Sequence, residues 1–270
     1  MILGKAISPF ALRKKNGSGG NDPDAQAFIT ATGISGTNAT ATNQLVLDLK
    51  TANIWTKMKC IYPMVGGTAT TCKFNLKDSR DLDAAFRLAF IGGGTFSANG
   101  YQPNGINAFA DTFFIPSVNG ILNSQHISYY SRTNSNGTEV EMGTNINGLV
   151  PTSILEIRTA GVTYLAINSG ATYVSYADAN SLGLYIGNRT ASNVIKLYKN
   201  ASIVASGTAA STSKSTNSFT IGALNSGTLR QFYSTKQCAF ASIGDGLTDA
   251  EALALYNAVQ LFNTTLARQV

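Results

Sequence analysis

The chain divides by the period of its apolar positions. From Cys72 to Ile243, short apolar runs alternate with clusters of Gly, Asn and Ser. The runs Phe86–Ile91, Phe113–Ile115, Gln125–Ser131, Thr138–Met142, Ser153–Thr159, Thr163–Ile167, Ser181–Arg189, Asn193–Lys199, Ala201–Ala205, Ser218–Ala223 and Cys238–Ile243 are predicted strands. Strands this short and this closely spaced predict an antiparallel sandwich rather than a βαβ sheet. Alternation is clearest in Gln125–Ser131: His126, Ser128 and Tyr130 share one face, and Ile127, Tyr129 and Ser131 share the other. Hairpin turns are expected at Asn136-Gly137 and Lys199-Asn200.

Helical signals fall towards the two ends. Asp22 followed by Pro23 gives an N-cap and a first helical position, with Ala25, Phe28 and Ile29 inward and Gly33 as the stop. A second helix is expected from Thr42, with Leu45, Val46 and Leu49 on one face, and Trp55, Met58 and Ile61 continue the apolar pattern. At the far end, Thr248-Asp249-Ala250-Glu251 is a capping box. Behind it, Ala252, Leu255, Tyr256, Val259, Phe262 and Leu266 form one stripe at helical spacing. The expected organisation is an arm over 1–21, a helical lead-in over 22–62, and a sandwich over 63–270 whose closing helix spans 248–268.

Composition sharpens this picture. Charged residues are 13% of the chain, about half the usual share of roughly 25%, while 44% is apolar. That combination predicts a packed β-protein with long polar loops, not a disordered chain. Of the net charge of +6, Lys5, Arg13, Lys14 and Lys15 supply four, all ahead of the first acid, Asp22. The remainder has no basic stripe, so nucleic acid is not an expected partner. The arm also carries Ile7, Pro9, Phe10 and Leu12 before the flexible run Asn16–Gly20. An apolar patch ahead of a flexible linker predicts docking on another surface. No run of about 18 apolar residues exists, so no spanning helix is expected. Residues 1–12, broken by Lys5 and Pro9, lack the apolar stretch of a secretory leader. Cys60, Cys72 and Cys238 lack metal-ligand spacing, and reduced, buried thiols are expected of a protein made in a cytoplasm.

Catalytic signals are sparse. Glu139 and Glu141 are acids two apart in a strand-like stretch, so their side chains share a face. Facing a groove, they would serve as the acid and nucleophile of a glycanase. On an exposed edge strand they would be solvated, with Val140 inward. His126 has no Gly-x-Ser-x-Gly partner and reads as a satisfied sheet histidine. Asp78, Asp81 and Asp83 crowd one loop, but Lys73, Lys77 and Arg80 beside them can pair them, and calcium-loop spacing is missing. No metal or cofactor, and no enzyme activity, is expected.

With strands and closing helix placed, the chain resembles the concanavalin A-like, or laminin-G-like, jelly-roll family. The resemblance rests on Phe74–Leu88, Leu184–Thr190, Phe219–Ala223 and Phe240–Glu251. More narrowly, residues 22–270 look like a sequence type found in virion proteins of tailed phages of Bacteroidetes hosts. It implies a mainly β, antiparallel jelly-roll sandwich in a non-enzymatic virion structural protein. Such a protein is made in the host cytoplasm and displayed on the virion surface, as part of a tail or head fibre. It would be anchored to other virion proteins through Ile7, Pro9, Phe10, Leu12, Arg13, Lys14 and Lys15, and would form a homo-oligomer. Host-surface glycans are the expected ligands. Sugar recognition uses aromatic faces and amides in loops, which singles out Tyr101, Gln102, Asn104 and Asn107, with Tyr173 and Tyr176 as a second set. The alternatives within reach are a purely architectural capsid decoration protein and a glycan depolymerase.

Overall fold

The computed structural model describes residues 20–170 and 172–270. The proposed anchoring residues Ile7, Pro9, Phe10, Leu12, Arg13, Lys14 and Lys15 lie outside them. Among the described residues the strands form two sheets packed as a β-sandwich of jelly-roll type. The eight-stranded sheet runs in the order Ser202–Gly207, Val194–Lys199, Gly183–Ala191, Gln125–Ser131, Cys238–Gly244, Gly100–Gln102, Thr95–Ser97, and Met58–Tyr62 adds to it beside Cys238–Gly244. The nine-stranded sheet runs Val174–Ala177, Val162–Ser169, Leu149–Thr159, Met142–Ile146, Thr220–Ile221, Phe109–Asp111, Ala89–Ile91, with Leu224–Asn225 and Arg230–Gln231 attached at its flank. Pairing is antiparallel throughout, apart from a short parallel contact of Leu224–Asn225 with Gly143–Thr144.

The alternation in Gln125–Ser131 sorts its side chains between two separate cores. Ile127 and Tyr129 point between the sheets, where they meet Leu155, Leu165, Tyr185 and Ile243. Tyr130 points the other way, into a core shared with the helices: Phe28, Leu45, Leu49, Leu255 and Phe262. The eight-stranded sheet is thus covered on both faces, and every residue of Gln125–Ser131 and Cys238–Gly244 is buried. Three helices make the outer cover. Pro23–Thr32 is capped by Asp22, whose carboxylate accepts from the Asp24 amide, and it stops at Gly33 in the left-handed region (φ 68°). Gly36–Thr51 packs on the closing helix Asp249–Thr265, which opens with the full capping box of Thr248 and Glu251.

The expected boundary at residue 62 does not hold. Met58–Tyr62 is a strand paired with Cys238–Gly244, not a continuation of helical pattern, and the two lead-in helices share one core with the sheet. The lead-in is therefore a layer of the domain. Two predicted strands are displaced: Thr138–Met142 yields to Met142–Ile146, and Phe113–Ile115 to Phe109–Asp111. In the first case the chain over 139–141 bonds across to Phe232 and Leu155 before joining the ladder. In the second, Phe113 takes a left-handed conformation (φ 56°) that breaks the strand. The expected hairpin at Asn136-Gly137 is a long loop. The true Asn-Gly hairpin is Asn147-Gly148, where φ of 51° and 74° gives the primed turn that suits right-handed strand twist. The second turn falls one residue later than expected, at Asn200-Ala201 between Lys199 and Ser202.

One side chain ties the layers together. Arg268, 1% exposed, follows the closing helix. Its guanidinium donates to the carbonyls of Pro63 (2.6 Å), Met64 (2.7 Å), Ala98 (3.3 Å) and Ala239 (2.8 Å) and to Asn263 Oδ1 (2.8 Å). It also lies against the Phe262 ring. Burial lowers its pKa to about 10, still leaving it charged at neutral pH. Removing it strands several buried carbonyls, each costing about 1–3 kcal/mol. Arg268→Met is expected to lower the unfolding free energy by at least about 3 kcal/mol in urea denaturation. A loss under about 1 kcal/mol would show that the carbonyls find other donors.

Candidate functional site

With helices covering one sheet, the outer face available for a ligand belongs to the other. On Leu149–Thr159, Leu155 and Ile157 enter the inter-sheet core, which turns Ile154 and Glu156 to the other face, where Ile154 is buried against Val140, Ala166 and Leu224 and Glu156 is not. Register sets Glu156 directly opposite Tyr164 on Val162–Ser169. Tyr173, 41% exposed, stands edge-on to Tyr164 with ring centroids 6.4 Å apart and planes at 81°. Glu156, Tyr164 and Tyr173 line a cleft of about 230 Å³.

The electrostatics of this cleft are unusual for the chain. Glu156 is half-buried, its carboxylate makes no hydrogen bond or ion pair among the described residues, and burial raises its carboxyl above the ordinary range. Burial, and then the nearby Glu156 charge, raise the Tyr173 hydroxyl as well. Partial desolvation without a partner is unfavourable for a carboxylate, and a ligand bringing hydroxyl or ammonium donors relieves it. The two ring faces add an apolar platform.

The structure separates the other candidates from this cleft. Tyr101 is removed from the set: it is fully buried, packed against Phe90 and Phe96 at 4.8 and 5.2 Å, and its ring meets no solvent. The amides of its loop serve the loop itself. Gln102 Nε2 donates to the Thr235 carbonyl at 2.9 Å. Asn104 Oδ1 accepts from the amides of Ile106, Asn107 and Ala108, and its Nδ2 donates to Gly92 O and to Asn107 Oδ1. These bonds close the loop and leave little for a sugar hydroxyl. Tyr176, opposite Thr163, packs against the inter-sheet core rather than beside Tyr173. Of the aromatic candidates, Tyr173 alone belongs to the cleft. Glu156 and Tyr164 were not singled out by the sequence; the usable signal was their place in adjacent strands of alternating pattern.

Glu139 and Glu141 are neither solvated nor open to a groove. Lys236, fully buried, donates to Glu139 Oε2 (3.0 Å) and Glu141 Oε1 (3.1 Å). Ser234 Oγ donates to Glu141 Oε1 (3.0 Å), the Thr235 amide to Glu139 Oε2 (2.9 Å), and the Ile157 amide to Glu141 Oε2. Burial raises the Glu141 carboxyl to about 7, against the pull of Lys236. Burial pushes Glu139 the same way, but the Thr235 amide and Lys236 outweigh it and hold that carboxyl below its ordinary value. Val140 is buried with them. The cluster fastens the 232–236 segment over the sheet: Glu141 is fully buried, and Glu139, 9% exposed, is taken up by Lys236 and Thr235. Nothing local in the sequence marks Lys236, which lies 95 residues from Glu141.

The remaining polar candidates are paired. His126 is buried; its Nδ1 donates to Asp245 O (2.7 Å), which leaves Nε2 to accept from Ser242 Oγ (3.1 Å). Asp81 pairs with Lys73 and Arg87, Asp78 with Arg80 and Asp83 with Arg87. Lys77 instead sits over the Trp55 ring, 3.8 Å from its centroid. Cys60, Cys72 and Cys238 are free and buried, as expected.

No family model matches the chain, and no curated protein matches it. Solved structures share its fold. A Trypanosoma rangeli sialidase mutant displaying trans-sialidase activity superposes with TM-score 0.53 at 11% identity, over 83% of this chain and 39% of that one. Domain 4 of AbnA, a GH43 extracellular arabinanase from Geobacillus stearothermophilus in complex with arabinotriose, gives 0.49 at 13% identity over 74% and 98%. The NanB sialidase from Streptococcus pneumoniae gives 0.43 at 13% identity over 60% of this chain, which spans 27% of the sialidase. At 11% identity the likeness to the Trypanosoma rangeli structure is one of fold alone.

Two measurements check the buried charges. Burial lowers the His126 pKa to about 4, from an ordinary value of about 6.5. Its stabilising effect is therefore present above about pH 6.5 and lost as pH falls towards 4, a loss of about 3 kcal/mol. Glu141 works in the opposite sense, since its raised pKa favours the folded state as pH falls below about 7. Because His126 is the single histidine, its imidazole NMR signal is unambiguous and is expected to stay flat down to about pH 5. A midpoint between about 6 and 7 would contradict the burial. Lys236→Met, which leaves two buried carboxylates unpaired, is expected to cost about 3–5 kcal/mol in urea denaturation.

Proposed function

We propose that this protein is a non-enzymatic structural protein of a phage virion. In this reading it is anchored through its N-terminal arm to capsid or tail proteins and carries its sandwich outward to engage host-surface glycans. The observation that carries the glycan part is the cleft of Glu156, Tyr164 and Tyr173. An unpartnered, half-buried carboxyl faces two tyrosine rings on the sheet that the helices leave open. Vicinal hydroxyls of a sugar donate to a carboxylate while the ring's C–H face lies on an aromatic surface. The sign of the charge selects further. Glu156 disfavours acidic sugars and favours neutral or amino sugars. The pairing of Glu139 and Glu141 with buried Lys236 counts against a depolymerase reading. The virion part is supported by the sequence resemblance and by the basic, apolar arm, and it implies a homo-oligomer on the particle surface.

A glycan array with the full-length protein is expected to show binding to neutral or amino-sugar glycans. Tyr173→Ala, at an exposed position, is expected to weaken it at least about tenfold, or about 1.4 kcal/mol, with the fold unchanged. Absence of binding across the array would end the glycan reading and leave a decoration protein. Cryo-electron microscopy of the particle tests the rest: density for Ile7–Lys15 against capsid or tail is expected, and absence of the protein from the virion would sink that placement.

A further inference from the structure

A second cleft, of about 280 Å³, opens between the Asn147-Gly148 hairpin tip and the 226–231 loop. It is lined by Asn147, Gly148, Ser226, Thr228, Leu229 and Gln231. None of these is charged. Ser226 is 2% exposed, yet its Oγ has no hydrogen-bond partner among the described residues. A buried hydroxyl without a partner costs about 1–3 kcal/mol, so a native chain keeps one where something else satisfies it. Leu229, 56% exposed, gives the same cleft an apolar wall.

Both walls are held open before any ligand arrives. The hairpin tip is fixed by the Gly148 amide donating to Asn145 Oδ1 (3.2 Å), and Asn217 Nδ2 donates to the Asn145 carbonyl (2.7 Å). The opposite loop is fixed by the Gly227 amide on Asn225 Oδ1 (3.0 Å), by the Ser226 amide on the Leu229 carbonyl (3.0 Å), and by Arg230 Nη1 on the Gly227 carbonyl (2.7 Å). The Arg230 guanidinium also lies over the Phe109 ring and is absent from the cleft lining. Loops ordered in this way lose little conformational freedom on binding.

We propose that this cleft is a second binding site, for a single uncharged sugar ring. Amide, hydroxyl and apolar surfaces with no net charge match a neutral polyol and offer nothing to an ionic ligand. The site is distinct from the Glu156 cleft, with which it shares no lining residue, and the eight steps of chain from Gly148 to Glu156 span at most about 27 Å. A branched or repeating glycan can therefore occupy both, which multiplies affinity without new contacts. The site stands on its own geometry and does not require the Glu156 cleft to bind.

The test is a ¹H–¹⁵N titration of the full chain with the methyl glycosides of glucose, galactose, mannose and N-acetylglucosamine. Saturable shifts of the Gly148, Gly227, Thr228 and Gln231 amides are expected. Ser226→Ala is expected to weaken binding about fivefold, and Thr228→Tyr, at an exposed loop position, to abolish it by filling the cleft. Trisaccharides ending in the responding sugar distinguish a glycan terminus, bound more tightly than the monosaccharide, from a free sugar, bound equally. The same titration in Tyr173→Ala protein is expected to give unchanged shifts, so failure of one site is not failure of the other. No saturable shift with any of the four probes, or shifts that survive Thr228→Tyr, would overturn the proposal.

Discussion

The arrangement depends on one buried cation. Among the described residues Arg268 has no carboxylate partner, and it is held by carbonyls from three separate stretches, 63–64, 98 and 239, together with Asn263 of the helix it follows. Each stretch is left with a carbonyl that the sheet ladder does not satisfy, and Arg268 satisfies them together. The end of the closing helix is thereby fixed against the strand Cys238–Gly244. The helices so held cover the second face of the eight-stranded sheet, and the outer face left uncovered by them is that of the other sheet.

Two sets of carboxylates show how compensation separates structure from chemistry. Glu139 and Glu141 have what a buried acid needs: an ammonium, hydroxyls and backbone amides. They act as a fastening for the 232–236 segment. Glu156 is less buried and has none of these among the described residues, although it faces a cleft. The acids that looked catalytic by spacing are structural, and the acid that spacing did not mark is the one left exposed to a ligand.

What the sequence made legible follows the range of the forces involved. The capping box at Thr248, the Asp22-Pro23 helix start and the two faces of Gln125–Ser131 are local, and each is found where the pattern placed it. The sandwich class followed from strand length and spacing. Long-range partners were not legible: Lys236 for Glu141 and Arg268 for Ala239. The Asn-Gly signal was read at 136–137, but the flanking strand did not begin until Met142, so the hairpin formed at the next Asn-Gly pair. The Tyr101 loop failed as a site for a related reason: amides suited to sugars are equally suited to closing a loop on itself.

The thickness of the sandwich has a consequence for how this protein can change. The fastenings at Arg268 and His126 lie on the helical side, while both clefts are lined by the opposite sheet, a hairpin tip and a short loop. Sites so far apart with no shared partners combine additively in stability. Exchange of side chains at Asn147, Thr228, Leu229 or Tyr173 therefore draws little on the folding reserve held at the other side. Such a molecule can change the shape and chemistry of its clefts, one loop residue at a time, while the sandwich beneath them stays the same.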